Sequence, residues 1–291
     1  MLLKFCCELK KENKMTNNVI CALVTPFYNG KIDFLSLKRL LRLQQESKQL
    51  LVLGSTGENL SLSLNEKQDV LKCVKDNYNG EIIVGVESPS TNQAILECET
   101  FEKYSPFCFL VTTPYFFMPE TDGVIEHFSA VAKNHKIILY NVPSRTKVDM
   151  PLKATQILAK KRNVIGIKDA SKNLERANIL SQERNFSVFC GNEEICSCYR
   201  LVGARGVFSV VANLMPSLVQ DSFLLKQKAT FYLSNLCSRL FAQPNPLGVK
   251  YLLKKQNLIS SCECRLPLTS FSQSNCKKLD ACLKNMERES L

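Results

Sequence analysis

Eight short apolar runs rich in β-branched residues recur along the first three quarters of this 291-residue chain. They lie at 19–27, 50–53, 82–86, 107–113, 137–142, 164–167, 186–189 and 207–211. Runs that stay apolar without alternating suit strands buried on both faces, as in a parallel sheet. Several stop at a turn former: Gly54, Pro114, Pro143 or Gly191.

Between the runs lie segments of helical period. Leu37, Leu40, Leu41 and Leu43 form one apolar stripe within 34–47, and Val70, Leu71 and Val74 form another within 66–78. Ser63 with Glu66, and Ser90 with Gln93, have the spacing of capping boxes that start helices. Strand-to-strand steps of roughly 20 to 30 residues match β–α units. Eight such units favour a closed barrel over an open sheet. Neither a G-x-G-x-x-G fingerprint nor a phosphate-binding loop follows any strand, which weakens the nucleotide-binding alternative.

The expected architecture is therefore α/β, a TIM-type (β/α)8 barrel at 18–222. A C-terminal helical extension at 223–291 follows it, broken at Gln243-Pro-Asn-Pro246 and near Arg265-Leu-Pro-Leu268. Residues 1–17 read as a flexible N-terminal extension, within which Met15 offers a second start. Barrels of about 250 residues are ordinary as single units, so the length asks for no second domain.

Composition narrows the function classes. The formal charge is +11, from 38 Lys and Arg against 27 Asp and Glu, but the basic residues are scattered and there is no Trp. That pattern reads as a solvated surface and not as a nucleic-acid site. Of the 14 cysteines, Cys6 and Cys7 are adjacent, Cys196/Cys198 and Cys262/Cys264 form C-x-C pairs, and the rest lie singly in apolar segments. With no C-x-x-C, and with His127 and His135 away from these pairs, neither a zinc site nor a disulfide framework is expected. Free thiols acting as small core residues imply a reducing compartment, the cytoplasm. No run approaches 18 apolar residues, so no membrane span is expected.

In such a barrel, catalytic groups sit at the C-terminal ends of strands and in the loops that follow. Strand two ends in Gly54-Ser-Thr-Gly-Glu58, whose glycines and hydroxyls suit an anion nest; an ordinary glycine-rich turn is the plain alternative. Strand five ends in Tyr140-Asn-Val-Pro-Ser-Arg-Thr146, offering a proton relay and a carboxylate grip, unless Arg145 is merely a solvated loop residue. Strand six ends in Gly166-Ile-Lys-Asp-Ala170. Burial in a barrel mouth favours the neutral, nucleophilic form of an amine, and an amine there condenses with carbonyls; a lysine snorkelling to the rim is the alternative. Three such groups at one barrel face are harder to reach by chance than any one alone.

These motifs resemble the dihydrodipicolinate synthase family, within the N-acetylneuraminate lyase superfamily. The likeness spans 19–269: LVTPF at 23–27, GSTGE at 54–58, VTTPY at 111–115, YNVPSRT at 140–146 and GIKDAS at 166–171. It continues through FCGNEE at 189–194, GVFSVVAN at 206–213, PNPLGVK at 244–250 and RLPL at 265–268. YNVPSRT together with GIKDAS is highly specific, whereas GSTGE is shared across the superfamily. The resemblance implies a lyase of lysine and diaminopimelate biosynthesis. It forms a pyruvate imine on Lys168, with pyruvate's carboxylate on the backbone amides of Ser55 and Thr56. Tyr140, helped by the Ser55 hydroxyl, would pass protons. Arg145 would bind the carboxylate of L-aspartate-4-semialdehyde, and the main-chain carbonyl of Phe208 would lie beside pyruvate. A homotetramer of two tight dimers, without metal or cofactor, is implied as well.

Three departures stand out. Phe116 occupies the place of a tyrosine that, in the family, reaches into the neighbouring site, which implies a slow but real enzyme. Ser55 replaces the commoner threonine and keeps the hydroxyl. The polar positions of the family's lysine feedback site carry Leu64, Lys67, Pro89 and Gln93, although Tyr115 fits; weak or absent lysine inhibition follows. The nearest rival readings are a sialic acid or keto-sugar-acid aldolase using the same imine, and a barrel that has lost catalysis and survives as a binding subunit.

Overall fold

The computed structural model describes residues 18–288, so the expected extension at 1–17 lies outside the described residues. Strand β1 (Val19–Ala22) is followed by a hairpin, β2 (Phe27–Tyr28) and β3 (Lys31–Ile32). Then come β4 (Gln49–Val52), β5 (Glu81–Val86), β6 (Cys108–Thr112), β7 (Ile137–Asn141), β8 (Val164–Asp169), β9 (Ser187–Cys190) and β10 (Gly206–Ser209). The hairpin apart, these strands are all parallel and form a closed ring in the order β1-β10-β9-β8-β7-β6-β5-β4. Closure comes at β1, which pairs Val19 with Val207 on one side and Cys21 with Leu50 on the other. This is the (β/α)8 barrel expected from the eight runs.

Alternation within each strand makes two apolar layers. Ile20, Leu51, Ile83, Leu110, Ile138 and Phe208 fill the barrel interior. Their chain neighbours Cys21, Leu50, Val84, Phe109, Leu139 and Val207 belong to the shell beneath the helices. A strand that must bury both faces has no polar side to show, which is why its sequence carries no alternation.

One strand reading needs correction. The run 19–27 is not one strand: β1 ends at Ala22, and Phe27 belongs to the hairpin, paired antiparallel with Ile32. Pro26 lies between them, and Asn29 and Gly30 make the hairpin turn with φ of 51° and 76°. Asn-Gly in that conformation is the favoured two-residue hairpin turn.

The helices follow their stripes. Helix α1 (Phe34–Leu43) buries Leu37, Leu40 and Leu41, while α2 (Leu64–Asn77) buries Val70, Leu71 and Val74. Ser63 and Glu66 form the full reciprocal capping box at the start of α2. Ser90 caps the helix Thr91–Phe101 by accepting from the Gln93 amide. Beyond β10 the chain is helical, through Pro216–Phe223, Gln227–Leu240, Leu247–Lys255 and Gln273–Arg288. No helix of the described residues is long and apolar enough to cross a membrane. The described cysteines are free thiols, with Cys21, Cys73, Cys98, Cys108, Cys190, Cys196 and Cys237 buried.

Candidate active site

The C-terminal ends of the strands open into a cavity of about 630 Å³. It is lined by Ser55, Thr56, Tyr140, Arg145, Lys168 and Phe208, the six positions singled out from the sequence. A cavity of about 700 Å³ lies at the opposite end, where Gln49 and Glu81 begin their strands. In this fold that end serves stability, so the 630 Å³ cavity is the candidate site.

Lys168 lies near the end of β8, directly across from Tyr140 on β7 and Phe189 on β9. Its side chain points inward and is 8% exposed. Nζ sits 4.1 Å from the centre of the Tyr140 ring and 5.2 Å from that of Phe208. The amine is therefore turned into the barrel and sheathed by aromatic faces, not snorkelling to the rim. The next residue, Asp169, points the opposite way and accepts from Asn141 Nδ2 (3.1 Å) and the Tyr199 hydroxyl (2.9 Å). Because a one-residue slip would exchange the two faces, anchoring Asp169 outside keeps Lys168 inside.

The Gly54–Glu58 segment forms a single 3₁₀ turn over Ser55–Gly57. Its internal bonds run from the Gly57 amide to the Gly54 carbonyl (2.8 Å) and from the Glu58 amide to the Ser55 carbonyl (3.2 Å). The amides of Ser55 and Thr56 come ahead of that first bond, as donors at the start of a helical turn do. Leu53, just before, has φ of 58°, a costly conformation for a branched residue. Asn59 holds it, donating from Nδ2 to the carbonyls of Leu53 (2.6 Å) and Gly85 (3.0 Å). A side chain at Gly85 would collide with that Leu53 carbonyl, so the glycine is required for the close approach.

Three contributors escaped the sequence reading. Asn245, in the break between two C-terminal helices, donates from Nδ2 to Thr56 Oγ1 (2.9 Å) and lines the cavity. Glu193, after β9, lines it too; its carboxylate accepts from the Ser209 hydroxyl and from the amides of Val210 and Val211. Burial pushes the Glu193 carboxyl up to about 7 against those bonds. Glu87, after β5, is buried and accepts the Ser55 hydroxyl at 2.7 Å. Burial pushes its carboxyl above the ordinary value, while the Ser55 bond and the charges of Arg145, Lys168 and Lys67 oppose this. The FCGNEE motif pointed at Glu193 without giving it a role. A lone glutamate after a strand, or an asparagine far along the chain, carries no local signal.

Comparison with known proteins agrees with this geometry. The profile of the Dihydrodipicolinate synthetase family matches residues 15–286. The chain belongs to that family. The 4-hydroxy-tetrahydrodipicolinate synthase of Bdellovibrio bacteriovorus is 35% identical over 91% of this chain and 96% of its own. That of Coxiella burnetii is 34% identical over 89% of this chain and 94% of its own. Among solved structures, the chloride-inhibited dihydrodipicolinate synthase of Acinetobacter baumannii complexed with pyruvate superposes with a TM-score of 0.87. It is 30% identical and covers 94% of this chain and 99% of that one. As a family member the chain is an enzyme of the lyase class, and its barrel is the family's barrel.

Proposed function

We infer that the chain acts as a 4-hydroxy-tetrahydrodipicolinate synthase, condensing pyruvate with L-aspartate-4-semialdehyde in lysine and diaminopimelate biosynthesis. The observation that carries this is the Lys168 amine, inside the barrel, 4.1 Å from the Tyr140 ring and in the same cavity as the Ser55–Thr56 turn.

The imine that Lys168 forms withdraws electrons from the neighbouring carbon itself, so the carbon is activated without a metal. No cofactor is needed for that step. In this reading the amides of Ser55 and Thr56 hold the keto acid's carboxylate, with the Phe208 carbonyl beside it. Tyr140 and the Ser55 hydroxyl pass protons as the imine and then the enamine form. Arg145, exposed at the cavity edge, meets the carboxylate of the incoming semialdehyde. A guanidinium favours a small carboxylated aldehyde over a sugar aldehyde.

Within this reading the catalytic barrel is 18–222 and the helical region follows from 223, with Asn245 of the latter reaching Thr56. A homotetramer built from two dimers is supported by the segment Phe116-Phe117-Met118. These three side chains are contiguous and exposed, Phe116 by 86%. Buried free thiols support a reducing, cytoplasmic setting. Assays pairing pyruvate with each candidate aldehyde test the choice of substrate. Turnover with L-aspartate-4-semialdehyde alone is expected, and turnover only with a sugar aldehyde overturns it.

A further inference from the structure

The buried carboxylates of this barrel are satisfied in two different ways. Glu58 meets the Lys250 ammonium and the Arg265 amide, Glu97 pairs with Lys67 at 2.9 Å, and Glu193 receives two backbone amides. Glu87 has neither arrangement. Among the described residues it forms no ion pair, and the one hydrogen bond to its carboxylate is that from Ser55 Oγ, at 2.7 Å. Its remaining support is electrostatic, from Arg145, Lys168 and Lys67, two of which are cavity groups. Tyr115 adds a bond to the Glu87 backbone carbonyl only, at 3.4 Å. A buried carboxylate without a contact ion is costly to keep charged, and so is readily protonated. Ser55 lines the cavity and Glu87 does not.

We propose that Glu87 is a positioning residue and proton acceptor for the imine chemistry, acting on the keto acid only through the Ser55 hydroxyl. This rests on the imine reading given above. With the carboxylate ionised, the Ser55 hydrogen is committed to Oε1, which turns the oxygen's lone pairs toward the cavity. As the bond between Lys168 Nζ and the keto carbon forms, nitrogen gives up a proton. Ser55 Oγ takes a proton from the cavity side while its own moves to Glu87. The transfers reverse onto the adduct oxygen, making it a hydroxyl. A second cycle carries the remaining nitrogen proton to that hydroxyl as the carbon–oxygen bond breaks, so the oxygen leaves as water and a neutral imine remains. Protons balance, and no other reactant is required.

The groups facing the carboxylate are Ser55 after β4, Tyr115 after β6, Arg145 after β7, Lys168 on β8, and Lys67 of α2 in its pair with Glu97. Since burial raises the Glu87 carboxyl, kcat falls on acidification through a value above the ordinary carboxylate range. The kcat profile reports groups in the bound complex, after the imine nitrogen has been consumed.

The test uses Glu87→Gln, Ser55→Ala and the double variant in the full chain. Glu87→Gln is expected to keep the borohydride-trapped pyruvate adduct and a KM for pyruvate within about threefold, while kcat drops about 10- to 100-fold. The acid limb of kcat disappears in both single variants, and the double variant loses nothing further, because the two residues act as one unit. Unchanged kcat and profile in Glu87→Gln, or losses that multiply in the double variant, overturn the proposal. If Glu87→Gln does not fold, Ser55→Ala decides alone, and an acid limb that survives there refutes the proposal. Absence of an adduct in the wild type refutes the imine reading instead.

Discussion

Lys250→Met is expected to be among the most destabilising single changes in the protein, although Lys250 touches no substrate. The lysine belongs to the helix Leu247–Lys255 and is 0% exposed. Its ammonium reaches Glu58 Oε1 at 2.5 Å and the Glu263 carbonyl at 2.8 Å, and lies 4.3 Å from the Phe27 ring centre. Methionine fills a similar volume, so the packing survives and the loss is electrostatic. Glu58 then remains buried without a cation in contact, held by the Arg265 amide at 2.9 Å and the Cys264 thiol. Removing one partner of a buried pair costs about 3–5 kcal/mol. Domains of this kind are stable by only about 5–15 kcal/mol. At roughly 2–4 °C per kcal/mol, melting falls by about 6–20 °C. The site is affected as well, because the Glu58 amide closes the Ser55–Gly57 turn, the proposed carboxylate cradle. Urea unfolding followed by circular dichroism, with KM for pyruvate from steady-state rates, reads both effects. Pairing the change with Glu58→Gln should recover part of the stability, since no charge is then stranded. A midpoint for Lys250→Met within about 0.5 kcal/mol of wild type would refute the reasoning.

Phe116→Tyr is expected to leave kcat within about threefold, because the Ser55–Glu87 bond ends the proton path inside one chain; a tenfold rise would place the missing phenol at the centre of the rate. Lysine titrated to millimolar concentrations is expected to leave the rate unchanged, since Lys67 already occupies that region as a buried cation paired with Glu97; clear inhibition would refute this. Arg145→Ala should raise KM for the semialdehyde about tenfold or more while sparing KM for pyruvate, and equal effects on both would remove its assignment to the second substrate.

Most of the barrel was legible because its physics is local. Strands buried on both faces must be apolar throughout, and 50–53, 82–86 and 137–142 announce themselves on that ground alone. The run 19–27 misled for the same reason. Leu23, Val24 and Phe27 are buried, yet they serve a bend and a hairpin that Pro26 and Asn29-Gly30 mark. Lys168 and Tyr140 were readable as polar breaks at strand ends. Glu87 was not, because its meaning lies in the Ser55 hydroxyl 32 residues away. Asn245 and Lys250 meet Thr56 and Glu58 across 189 and 192 residues, a distance that only closure of the barrel spans. The PNPLGVK motif contained both residues, but without coordinates nothing connected them to the turn.

The chemistry proposed here turns on a covalent bond between Lys168 and a small keto acid. Incubation with pyruvate and borohydride, followed by peptide mapping by mass spectrometry, tests it directly. One reduced pyruvate per chain is expected, located on the peptide carrying Lys168 and absent from Lys168→Ala. No mass gain, or a label on a different lysine, would contradict it.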